Sequence, residues 1–329
     1  HRNLFLILAA IILVLGVLAA MDVGNQPYWG YGSDGNFKVT NVDVGSPAAA
    51  AGLQVGDPIK SVDGVAVSDT RATINMPRSA VGATRQLVVE RGGQAVNLQV
   101  TAAGQSAKNV HMARAFSLIG LCFLVFTLWA YLATPGAATT LLACSGLSCG
   151  LSMLGLPYFA SPAVRLAADQ IVTLITLFGL AALLNFLLAF PSRRPVLERA
   201  SGIWIVYGPA AVFALLSIGV AVVQPSLTSP VMVLFRLIEG LLYCGYFIVA
   251  IVVLVRRFGA ASAVDRSTHG LGLMLGGAVV GLVPFVAAVI LTMVLPGKAL
   301  PGVEYTGLTL GLIPITFAMA AVRSARATT

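Results

Sequence analysis

Gly45-Ser46-Pro47-Ala48-Ala49-Ala50-Ala51-Gly52-Leu53-Gln54-Val55-Gly56-Asp57-Pro58-Ile59 decides how the first third of this chain folds. The Ser46 hydroxyl suits the free amides at a helix start, Pro47 suits the first turn, and alanine is the strongest helix former. Gly52 stops that short helix, and Gly56-Asp57 turns the chain into a strand over Ile59–Val62. Asp63-Gly64 reads as a tight turn into Val65-Ala66-Val67. Downstream, Arg85–Glu90 and Gln94–Val100 alternate apolar with polar residues on either side of Gly92-Gly93, a hairpin signal. Residues 21–113 carry seven basic and seven acidic side chains and are long enough for one small folded domain.

Outside that segment the chain changes character. Of its 329 residues 58% are hydrophobic and only 10% charged, and the mean hydropathy is +0.91. A soluble domain runs near 25% charged, so a soluble enzyme, a disordered chain and a disulfide scaffold are all excluded. Spanning a bilayer takes about 20 consecutive apolar residues. Eight such runs occur: Leu4–Ala20, Ala115–Ala133, Ala137–Leu156, Leu166–Phe190, Ile203–Val223, Val231–Val255, Gly270–Leu295 and Val303–Val322. The expected fold is an α-helical membrane bundle of eight spans with a small α/β domain inserted after the first. In domain terms this is an anchor over 1–20, a folded domain over 34–103, seven spans over 115–322 and a tail over 323–329.

The net charge of +8 would suggest nucleic acid as a partner in a soluble chain, but in a membrane protein it reads first as topology. Arg2, Arg193, Arg194, Arg199, Arg256, Arg257, Arg266, Arg323 and Arg326 all fall on one side of the eight spans. That bias predicts cytoplasmic termini, an extracytoplasmic domain and no nucleic-acid partner. The first apolar run exceeds the usual core of a cleaved signal peptide, so a retained anchor is expected.

The Gly45–Ile59 stretch, with Val62-Asp63-Gly64 after it, resembles bacterial PDZ domains of the kind found in HtrA-type and site-2 proteases. The likeness covers roughly Asp34–Thr101, and Pro58 departs from it where the family usually has a β-branched residue. It implies capture of an extended peptide as an added strand, often through a terminal carboxylate. The groove would lie between the strand Phe37–Val42 and a helix near Asp69–Asn75. Gly30, Tyr31, Gly32 and Ser33 would form the carboxylate loop, and Phe37 and Val39 would line the groove. A plain glycine-rich tether is the competing reading of Gly30–Ser33, and no Lys or Arg directly precedes it to hold a carboxylate.

Within the spans, ionisable residues mark functional candidates because burying charge in lipid is costly. Glu239 lies inside the sixth span with Arg236 one turn before it, and Arg165, Asp169 and Glu304 stand near outer span ends. They are expected to form a polar cluster beneath the domain, with a purely structural Arg236–Glu239 pair as the alternative. No His-Glu-x-x-His is present, so the zinc-protease chemistry of site-2 enzymes lacks its ligands. Ser145-Gly146 and the run from His269 to Gly276 resemble rhomboid motifs, but three spans separate them. Cys122, Cys144, Cys149 and Cys244 read as packing residues, so neither disulfide nor metal is expected, and no nucleotide fingerprint points to a cofactor. Pro284 and Pro314 predict kinks, and Asn185 an interhelical hydrogen bond.

The fourth span exits through Phe190-Pro191-Ser192-Arg193-Arg194-Pro195. This Phe-Pro exit, together with the extracytoplasmic domain, resembles the sensor regions of competence quorum-sensing histidine kinases, which often have histidine where Asn185 stands. The resemblance implies a sensory input module in the bacterial inner membrane, binding an extracytoplasmic peptide or protein carboxyl terminus and acting as a homodimer. No kinase segment occurs before Thr329, so no enzymatic activity is expected of these residues. A PDZ-bearing scaffold or chaperone is the alternative, followed by a transporter.

Overall fold

The computed structural model describes residues 2–34, 36–69, 72, 76, 78–159, 161–192, 195–199, 201–223, 230–294 and 302–327. A long helix α1 (Arg2–Asp22) leads through a short 3-10 turn into the small domain. There follow β1 (Pro27–Tyr28), β2 (Tyr31–Ser33), β3 (Val39–Val42), helix α2 (Pro47–Ala50), β4 (Ile59–Val62), β5 (Val65–Ala66), β6 (Thr84–Arg91), β7 (Gln94–Thr101) and β8 (Ala103–Gly104). The chain then forms α3 (Ala107–Ala133), α4 (Ala137–Leu154), α5 (Pro162–Ala189), α6 (Pro195–Glu198), α7 (Gly202–Val223) and α8 (Pro230–Ala260). Helices α9 (Ala263–Thr268) and α10 (Leu271–Val294), a 3-10 segment over Val303–Gly311 and α11 (Leu312–Ala327) complete it.

The local chemistry works as the residue types predict. Ser46 caps α2 by accepting the Ala49 amide at 3.2 Å, with Pro47 in the first turn, and Gly52 follows at φ +83. Gly92 and Gly93, both at positive φ, close the β6–β7 hairpin, whose register runs from Thr84 opposite Thr101 to Arg91 opposite Gln94. Asp63 and Gly64, also at positive φ, make the β4–β5 turn. The four-stranded sheet has the order β5-β4-β6-β7, and β2 pairs with β3. Val39, Ala48, Leu53, Ile59, Leu87, Val89 and Val100 form its buried core. Strand β1 pairs with β8, so the two chain segments joining the domain to α1 and α3 lie side by side. The expected domain start at Asp34 therefore falls too late, because β1 and β2 precede it and belong to the sheets.

Eight helical segments among the described residues are long and apolar enough to cross a membrane, the eighth taken over Tyr305–Ala327. Helix α3 begins well before the expected Ala115 because Ser106 caps it, accepting the Asn109 amide at 3.2 Å. The eighth run is not one helix. Its first part is 3-10 over Val303–Gly311 and only Leu312–Ala327 is α-helical. Pro314 is consequently the third residue of α11, where a missing amide costs nothing, so it does not kink a helix interior. Pro284 does lie within α10, and Pro209 lies within α7.

One buried cluster joins α5, α8, α10 and α11 around Phe186, Met274 and Phe317. A second joins α1, α3 and α4 around Phe5, Tyr131 and Leu147, and a third joins α5, α7 and α8 around Leu177, Phe213 and Tyr246. Close helix approach rests on glycine. A Cβ on Gly146 would lie 1.7 Å from the Thr127 hydroxyl, one on Gly179 2.2 Å from Ser148, and one on Gly277 2.0 Å from the Thr316 hydroxyl.

Candidate functional site

Strand β3 cannot be the peptide-accepting edge. On one side it pairs with β2, Tyr31 facing Val42 and Gly32 facing Asn41. On the other, the Val39 amide donates to the Asp57 carbonyl at 2.9 Å, and the Val39 carbonyl accepts the Gly56 amide at 2.8 Å. Both edges are used, and the Val39 side chain is buried in the core. Val39 is thus corrected from a groove residue to a core residue. The outer strand of this pair is β2, built from residues that also read as a tether. Ladder alternation, fixed by the Asp43 amide donating to the Gly30 carbonyl at 2.9 Å, turns the Tyr31 amide and carbonyl away from β3.

Two glycines make this strand possible. Gly30 has φ +77, and a Cβ there would lie 2.0 Å from the Cβ of Ser46, whose hydroxyl donates to the Gly30 carbonyl at 3.1 Å. Gly32 carries the Asn41 side-chain oxygen where its own Cβ would be, 2.2 Å away. The Trp29 carbonyl accepts the Ala48 amide at 3.0 Å, seating the loop on the start of α2. Behind the loop, Tyr28 donates to the Asp43 carboxylate, and this bond pushes the phenol up to about 12.

A cavity of about 450 Å³ opens beside β2. Trp29, Tyr31, Phe37, Ile59, Val62 and Met76 give it an apolar floor, and Ser33 and Ser79 add hydroxyls. Its remaining walls carry guanidinium and phenol groups. Arg78 and Arg85 come from the segment before and at the start of β6, while Tyr158 and Arg165 come from the α4–α5 connection and the first turn of α5. The site is composite, part domain and part helical bundle.

Its polar groups are held in place. The Tyr158 hydroxyl donates to the Ser79 carbonyl at 2.7 Å, and its amide donates to the Asp22 carboxylate at 3.2 Å. Arg78 lies over the Tyr158 ring and Arg85 over the Trp29 ring, each 4.8 Å from the centroid. Arg85 also donates to the Ser79 hydroxyl at 3.1 Å and faces Asp63 at 3.6 Å. Such cation–π contacts are worth about 0.5–1 kcal/mol at partly exposed sites and fix where the guanidinium sits. Burial raises the Tyr31 and Tyr158 phenols, the effect moderated by Arg85 at Tyr31 and by Arg78, Arg85 and Arg165 at Tyr158.

The structure brings together Tyr31, Ser33, Phe37 and Arg165 among the anticipated residues, with Gly30 and Gly32 shaping the strand beside them. The helix anticipated near Asp69–Asn75 lies mostly outside the described residues. The anticipated membrane cluster is not gathered into one site. Arg165 turns to the domain cavity, Asp169 is exposed one turn further along α5, and the Glu304 side chain lies outside the described residues. Arg236 and half-buried Glu239 are electrostatic neighbours on α8, but no ion pair joins them.

His269 shares a 2.7 Å hydrogen bond with Ser324 rather than meeting Ser145, which is buried within α4. The Asn185 amide donates to the Tyr207 hydroxyl at 3.2 Å, linking α5 to α7 as its isolation in an apolar helix predicts. All four cysteines are free, Cys149 buried and Cys244 exposed on α8. Among the described residues no group of His, Cys, Asp and Glu is placed to hold a metal.

The missed wall residues left little signal in sequence. Arg78 and Arg85 look like ordinary surface charges, and Tyr158 sits in a short connection with no motif. The family model for the PDZ domain matches residues 22–102. The match begins at the end of α1 and includes β1 and β2, so the chain carries a PDZ domain together with its eight apolar helices.

Proposed function

We propose that this chain is the membrane-embedded input module of a bacterial signalling protein. Its PDZ domain, on the extracytoplasmic side, binds the carboxyl terminus of a peptide or protein, and the bundle passes that event to the cytoplasmic face. The arginine bias of the loops supports this orientation. The observation that carries the reading is the composite cavity: a strand added beside β2 would meet Tyr158 and Arg165 of the bundle as well as the domain. Binding that touches both bodies stabilises one arrangement of α5 relative to the domain, which is what a transmitted signal requires. The role is recognition and transmission, not catalysis.

The test is retention of short peptides from a combinatorial library by the full chain in lipid nanodiscs, with free carboxyl termini in one arm and amidated termini in the other. Retention of the free-acid pool alone is the expected result. Equal retention of both pools, or of neither, would overturn carboxyl-terminal recognition. A scaffold without signalling would bind peptide yet leave amide exchange in α5 unchanged.

A further inference from the structure

The cavity beside β2 has a charge that its PDZ fold does not require. The described residues lining it include Arg78, Arg85 and Arg165 and no aspartate or glutamate. Asp63 faces Arg85 from outside the lining and offsets part of its charge, while accepting the Gln86 amide at 2.8 Å on its other oxygen. Arg165 joins this lining from the start of a helix. It stands in the first turn of a 28-residue helix whose amino-terminal turn has no acidic residue and whose cap, Ser161, makes no side-chain hydrogen bond. A cation there adds to the positive end of the helix dipole instead of offsetting it. The Tyr158 ring holds Arg78 by its face, which leaves that guanidinium edge for a planar, bidentate acceptor, while Arg85 is held by Trp29, Ser79 and Asp63.

We infer that this site selects acidic carboxyl-terminal segments: an apolar last residue on the Trp29, Phe37 and Ile59 floor, preceded by aspartate or glutamate facing Arg78 and Arg165. The inference rests on the carboxyl-terminal recognition proposed above and names its specificity. A cavity of about 450 Å³ holds a few side chains, so the selection concerns the last residues of the ligand and not a long surface. Arg78 and Arg165 are the specificity-determining residues, one supplied by each body. An acidic ligand therefore adds a charge contact to both domain and bundle that a neutral one lacks.

The free-acid library retained on the full chain in nanodiscs of neutral lipid reads this directly by sequencing. The expected result is enrichment of Asp and Glu immediately before the terminal residue, with a glutamate peptide binding about tenfold tighter than its glutamine counterpart. In the Arg78→Gln/Arg165→Gln protein the acidic enrichment should vanish, and a protein that keeps it would overturn the assignment to these two residues. Carboxyl-dependent retention with no acidic enrichment would overturn the specificity and leave the underlying reading standing. Retention that ignores the carboxyl terminus would sink that reading as well. Loss of the acidic preference on moving the native chain to discs of anionic lipid would identify a phospholipid headgroup as the occupant and overturn a peptide specificity.

Discussion

Gly30 and Asp57 hold the small domain together in different ways, one by leaving room and the other by pairing charge. Gly30 needs both a positive φ and the absence of a Cβ, because Ser46 fills the space where one would sit. Gly30→Ala should cost about 1–3 kcal/mol of domain stability and weaken peptide retention in parallel, read as faster amide exchange in β2 and β3. Asp57 is nearly buried, accepting the Gln54 amide at 2.9 Å and the Arg91 guanidinium at 3.1 Å. Hydrogen bonding from Arg91 holds its carboxyl below the usual carboxylate range, against the opposing effect of burial. A depressed folded-state pKa stabilises above the unfolded value and loses that contribution as pH falls through the folded one. The native domain should therefore weaken on acidification below about pH 4. Asp57→Asn should already be less stable at neutral pH, by about 1–3 kcal/mol, and respond less to acid. Opening free energies from amide exchange of β6 and β7 across pH check both statements. At this scale sequence reading located the turn glycines and Asp57 by spacing. It could not see that Val39 is spent on the core or that Arg78 and Arg85 are stacked on rings, because neither follows from neighbours in sequence.

At the scale of elements, apolar length identified the long helical segments, and turn chemistry identified both hairpins and the α2 cap. The errors came where local chemistry extends or divides a hydrophobic run. Ser106 starts α3 early, and the last run divides into 3-10 and α segments, Gly281 and Thr309 lying in contact where it does so. The Thr309 hydroxyl donates to the Gly281 carbonyl at 2.7 Å, and a Cβ on Gly281 would stand 3.1 Å from the Thr309 carbonyl. Hydropathy alone carries no record of such approaches. Their energetic weight is testable at Gly277, whose surroundings are fully occupied by Thr316. Gly277→Val should separate α10 from α11 and lower thermal stability of the detergent-solubilised chain, with about 1–3 kcal/mol lost to overpacking. Gly276→Ala, beside it but with open space at its Cβ position, should leave stability nearly unchanged.

For the whole molecule, the net charge of +8 bears first on topology. A domain balanced in charge at one end of a bundle with basic loops at the other predicts its side of the membrane. In intact spheroplasts, a membrane-impermeant maleimide should label Gln94→Cys, on the exposed β6–β7 hairpin, above the background of the native cysteines. Ala263→Cys, exposed at the opposite end of the bundle, should label only after permeabilisation. The contact between the two bodies was beyond sequence reading because it joins Tyr158 to Ser79 across a long stretch of chain.

That contact seats the domain on the helical bundle, and amide exchange of the full chain in nanodiscs tests it most directly. With a retained free-acid peptide at saturation, protection should rise together in β2 and in the segment from Tyr158 through the first turn of α5. Protection confined to β2, with the α4–α5 connection unchanged, would contradict a groove shared between domain and bundle.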